Sequence, residues 1–178
     1  RLDLVKAKIE GVLKATEAVT KVEATLNQTD YNTAKGLVDA LVAGTDKTNL
    51  TNRLNAVLTK MQQAEKIAKA TEAVVKAENT LSQDDYNAAQ TVVNGLAYGT
   101  ERTDLTNRLT AVQNAINAKK AIDNATAAVV KAESTKTQAD VNTARNLVNA
   151  LPNGDVKTDL IARLDQVQAM IQASAAIA

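Results

Sequence analysis

The chain has 178 residues, of which 45% are apolar and 23% charged, with 21 Lys and Arg against 20 Asp and Glu, a single Pro, and no Cys, His, Phe or Trp. Lack of Cys removes disulfides, thiolate metal sites and thiol nucleophiles, and lack of His removes the usual base near neutral pH, so the composition argues against an enzyme. A net charge of +1 gives no field for nucleic acid or an anionic membrane, and no apolar run approaches the roughly 20 residues that span a bilayer.

The apolar residues are mostly Ala, Val and Leu, which predicts a thin aliphatic core. The chain opens RLDLVKAKIE, without a signal-peptide pattern, and reads as a piece of something longer. Its organising feature is a repeat. NQTDYN (27–32), SQDDYN (82–87) and TQADVN (137–142) stand 55 residues apart, and the register divides the chain into copies at 15–69, 70–124 and 125–178. Ala15/Ala70/Ala125, Val19/Val74/Val129, Glu23/Glu78/Glu133, Gly44/Gly99/Gly154 and Arg53/Arg108/Arg163 are among the positions filled identically.

In chain order, Asn27, Ser82 and Thr137 each accept hydrogen bonds well from the free N–H groups of a helix start, and Asp30, Asp85 and Asp140 follow three residues later, an acidic relative of the capping box. The apolar positions after each cap, such as Tyr31, Ala34, Val38 and Leu41, recur at 3-4-3 spacing and predict a short helix. That helix is expected to stop at Gly44, Gly99 and Gly154, with the glycine at positive φ and Pro152 reinforcing the stop in the third copy. New starts at Thr45, Thr100 and Asp155 open long helices, expected near 46–81 and 101–136.

The first part of each long helix carries Leu50, Leu54, Val57 and Met61 or their equivalents, and the later part carries Ile67, Ala70, Val74, Ala77 and Leu81. The six-residue step from Met61 to Ile67 moves the stripe roughly 120° around the axis, so one helix serves two cores. The resulting fold class is all-α: tandem three-helix bundles joined by shared long helices, a spectrin-like rod. The bundles are expected at 1–67, 68–122 and 123–178. An α-solenoid of stacked helix pairs is the competing architecture.

Candidate chemistry is sparse. Lys21 and Glu23 with their copies read as a solvated face, and Glu23 is placed to pair with Arg53 across helices. The loops AGTDKTN, YGTERTD and NGDVKTD are acidic but lack the ligand alternation of an EF-hand, so helix capping explains them. Tyr31, Tyr86 and Val141 share one slot, which argues for a core position. Tyr98 has no aromatic counterpart, since Ala43 and Asn153 take its place, and it is a candidate exposed contact. No catalytic, cofactor-binding or metal residues are expected, and no cofactor.

The pattern ATAAVVKAE followed by TQADVNTARNLVNALPNGDVKTDLIARLDQVQ (125–133 and 137–168) resembles the small three-helix modules found in tandem in Gram-positive surface and secreted proteins. It is also similar to the helical domain that follows the toxin core of large insecticidal crystal toxins; the third copy matches best, whereas Val42 and Ala97 replace the Pro in the first two. The resemblance implies an extracellular accessory module with no family catalytic residues to carry over. The expected role is a spacer, stalk or surface-layer segment whose joints lie at 61–74 and 116–129. Its partners are expected to be neighbouring domains of the same polypeptide, with self-association or a host protein as further candidates and neither nucleic acid nor membrane insertion involved. A helical adhesin module is the alternative function.

Overall fold

The computed structural model describes residues 1–176. It is all-α, with seven helices and no strand among the described residues: α1 (Leu2–Thr25), α2 (Gln28–Asp39), α3 (Thr45–Thr80), α4 (Gln83–Asn94), α5 (Thr100–Thr135), α6 (Gln138–Asn149) and α7 (Asp155–Ala175). The short helices have 12 residues and α3 and α5 have 36 each, about 54 Å of continuous helix. Both long helices begin and end within one residue of the ranges expected from the starts at Thr45 and Thr100 and the caps at Ser82 and Thr137.

Asn27 and Thr137 act as their chemistry predicts. Asn27 Oδ1 accepts from the backbone N–H groups of Thr29 (2.8 Å) and Asp30 (3.3 Å), and Thr137 Oγ1 accepts from Asp140 N (3.3 Å). The aspartates do something else than close a capping box. Asp30 accepts from Lys21 Nζ (2.7 Å) and Thr25 Oγ1 (2.8 Å), fastening the end of α1 to the start of α2. Lys76–Asp85 and Lys131–Asp140 repeat the tie at 2.7 and 2.8 Å.

The glycine stops need correction. The short helices end at Asp39, Asn94 and Asn149, and no glycine among the described residues takes a left-handed φ. Gly154 instead precedes α7 in extended backbone (φ 162°, ψ 177°). The left-handed residue is unnecessary because a cation satisfies the terminal carbonyls. Lys47 Nζ donates to Asp39 O (2.6 Å) and Leu41 O (2.9 Å), Lys157 Nζ to Asn149 O and Leu151 O (both 2.8 Å), and Arg102 Nη1 to Leu96 O (3.1 Å). Left-handed backbone appears at the other turn, where Leu26 (φ 48°), Leu81 (φ 48°) and Lys136 (φ 51°) follow the last residues of α1, α3 and α5. Their N–H groups bond to Val22 O (2.8 Å), Ala77 O (2.9 Å) and Ala132 O (2.9 Å).

The chain forms two compact units, Arg1–Glu72 with Thr91–Thr103, and Ala73–Gln90 with Asp104–Ala178. The first contains a three-helix core in which Ala15, Val19 and Val22 of α1 meet Tyr31, Ala34 and Val38 of α2 and Leu50, Leu54 and Val57 of α3. The second contains the matching core of Ala125, Val129 and Ala132 (α5), Val141, Ala144 and Val148 (α6), Leu151, and Leu160, Leu164 and Val167 (α7). Within the second unit α5 buries two separate triplets, Leu105–Leu109–Val112 and Ala125–Val129–Ala132. At 100° per residue their mean directions differ by about 160°, a larger turn than the 120° read from the Met61–Ile67 step, so α5 presents nearly opposite faces as it passes from one repeat to the next.

Candidate functional site

Each repeat carries one bidentate ion pair. Arg53 reaches Glu23 through Nε (2.8 Å) and Nη2 (2.6 Å), and Nη2 also donates to Thr20 Oγ1 (3.1 Å). Arg108–Glu78 and Arg163–Glu133 reproduce the fork at 2.7 to 2.9 Å. These guanidinium hydrogen bonds hold the three Glu carboxyls below the ordinary carboxylate range. The sequence pairing of Glu23 with Arg53 is therefore correct, while Lys21 belongs to Asp30. All these groups are consumed in joining helices within a repeat.

The Asp ties carry the clearest electrostatic signature. Lys131, then the Thr135 and Thr137 hydroxyls, donate to Asp140 and bring its carboxyl down to about 2. Lys21 with Thr25 lowers Asp30, and Lys76 with Thr80 lowers Asp85. A depressed folded-state value stabilises the fold above the unfolded value of roughly 4, and that contribution is lost as pH falls toward about 2. The melting temperature followed by circular dichroism is expected to fall across this window, and Asp30→Asn, Asp85→Asn and Asp140→Asn together to flatten the fall. An equally steep acid slope in the triple variant would refute the assignment.

The acidic loops bring no three potential metal ligands of the Asp, Glu, His or Cys type together among the described residues. Tyr31 is buried at 8% exposure and Val141 at 0%, whereas Tyr86 is half-buried with its hydroxyl accepting from Gln90 Nε2 (3.1 Å). The shared slot is thus a core position in the first and third copies and its margin in the second.

Two surface features stand apart from the helix joints. Tyr98, between α4 and α5, is 92% exposed, and the Arg102 guanidinium lies over its ring at 4.3 Å. The first half of α1 exposes Leu4, Val5, Ile9 and Leu13, where the next copy has Thr59, Lys60, Ala64 and Ala68. Leu4, Lys8 and Gly11 of α1 also line an open groove of about 460 Å³ with Leu41, Val42 and Asp46. No helix of the described residues is long and apolar enough to cross a membrane.

The 61–74 and 116–129 segments singled out as joints lie inside α3 and α5, uninterrupted by a turn.

No protein-family model matches the chain, and no solved structure does. The chain is 36% identical over 154 residues, 86% of its length, to the minor extracellular protease Epr of Bacillus subtilis. That match spans 23% of the protease, so the chain corresponds to less than a quarter of the relative's length.

Proposed function

We propose that this chain is a non-enzymatic spacer: a helical stalk segment of a secreted or surface-attached bacterial protein that holds functional parts at a set distance. The observation that supports this best is the continuity of α3 and α5, each 36 residues without a break across a repeat boundary. Where one helix belongs to two repeats there is no flexible linker, and bending requires distorting the helix or its packing. The similarity to part of an extracellular protease supports an extracellular setting, and the chain's own lack of His and Cys supports a non-catalytic part. The apolar stretch on α1 supports contact with an adjoining segment of a longer polypeptide.

Small-angle scattering tests the proposal. A compact 178-residue globule has a radius of gyration of about 16 Å. The spacer is expected to approach twice that, independently of concentration, and a Gly-Pro insertion after Ala68 is expected to shorten the mean end-to-end distance with little loss of helix. A compact value for the unmodified chain would sink the proposal.

Tyr98 and Arg102 favour a second reading, an adhesin module that grips a protein partner through that loop, since exposed Tyr and Arg are the residue types that dominate binding hot spots. Salt-resistant retention of a host serum or matrix protein, abolished by Tyr98→Ala, is the result that reading requires.

A further inference from the structure

The sequence Asn-Gly occurs twice, at Asn94–Gly95 and Asn153–Gly154, and the two copies sit in different backbone environments. Asn-Gly is the dipeptide most open to intramolecular attack, because Gly puts no side chain in the way of its own backbone nitrogen. Asn94 is the last residue of α4, and Gly95 N donates to Val92 O at 3.2 Å, so the nucleophilic nitrogen is held in a helical turn. Asn153 lies between α6 and α7, outside any helix, and is exposed. Gly154 N donates to no acceptor among the described residues, and beyond its two chain neighbours no heavy atom lies within 4 Å of where a Cβ on Gly154 would stand.

We propose that Asn153 is a deamidation site of the folded protein and that Asn94 is protected by the fold. In the reaction Gly154 N gives its proton to solvent hydroxide and attacks the Asn153 side-chain amide carbon. The C–N bond to the amide breaks, the leaving nitrogen takes a proton from water and departs as ammonia, and a five-membered succinimide forms. Water then opens the ring at either carbonyl, giving Asp or isoaspartate, with no oxidant or reductant involved.

The product is a carboxylate just ahead of Asp155, the first residue of α7. The nearby cation, Lys157, is already engaged with Asn149 O and Leu151 O, so the charge answers to the positive end of α7. Isoaspartate adds one methylene to the main chain of the α6–α7 loop. The corresponding loops hold Ala43–Gly44 and Tyr98–Gly99, which lack the amide, so only the third copy carries this chemistry in its loop.

The test is tryptic mapping of the full chain after incubation at mildly alkaline pH. Cleavage after Arg145 and Lys157 isolates 146–157 with Asn153, and cleavage after Lys76 and Arg102 isolates 77–102 with Asn94. In the native protein the amide-to-carboxyl mass shift is expected in 146–157, localised to residue 153 by fragmentation, with Asn94 about tenfold slower or more, the scale set by local opening of a hydrogen-bonded helix end. In concentrated urea the two sites are expected to react at similar rates, and Asn153→Ala to remove the shift from 146–157. Equal rates in the native protein, or no native reaction at Asn153, would overturn the proposal.

Discussion

Leu164→Ala is expected to cost about 3 kcal/mol of stability, because it deletes buried methyl groups in a core that has few large side chains to begin with. The third-repeat core is made of three Ala, four Val and three Leu, and Leu164 is 0% exposed. With no Phe or Trp in the chain, the only larger side chains packed around this core are aliphatic, Ile122, Ile161 and Ile171 among them. The buried alanines, Ala125, Ala132 and Ala144, mark where the surrounding side chains and backbone close in, which restricts collapse further. If the third repeat unfolds as a unit of its own size, the melting temperature of that transition drops by more than about 10 °C. Leu147→Ala is the control, since Leu147 on α6 is already 40% exposed and its truncation is expected to cost roughly 1 kcal/mol. Equal losses in the two variants would mean that the core described around Leu164 does not form.

How much of this was legible beforehand depended on whether a residue's role is local. Asn27 and Thr137 act on N–H groups two or three residues away, so the caps could be read directly, and with them the ends of the short helices' first turns. The long helices followed because nothing between a Thr start and the next cap breaks a helix. The left-handed turns at Leu26, Leu81 and Lys136 were not legible, since Leu and Lys give no signal for positive φ. There the ends of two helices fix the backbone, and the residue accepts the strain. Gly44, Gly99 and Gly154 gave the opposite error, a strong left-handed signal in residues that serve the next helix start. The sign that was missed is the cation three residues after each glycine, Lys47, Arg102 and Lys157, whose reach back to the previous helix depends on tertiary geometry. Tyr98 was visible as an aromatic without counterparts, but its partnership with Arg102 was not, because the two are separated by a helix start and not by a helical turn.

Ala118→Pro is expected to be at least as disruptive as the core truncation, although it removes no packing. Ala118 lies in α5 between the buried Val112 and Ala125, and residues 117–121 are all exposed. Proline there removes one i→i−4 hydrogen bond and drives its ring against the carbonyl of residue 114, at a cost of about 3 kcal/mol or more. Ala118→Gly, which keeps the N–H, is expected to cost only about 1 kcal/mol. The comparison isolates what the continuous helix contributes. If α5 transmits order between its two buried faces, the proline variant melts in two separated steps and its amides at 113–124 exchange far faster than in the glycine variant. A proline variant that still melts in one step, with exchange at 113–124 no faster than in the glycine variant, would show that the two halves of α5 are already independent. The stiffness assigned to the spacer would then have to come from contacts between repeats and not from the helix they share.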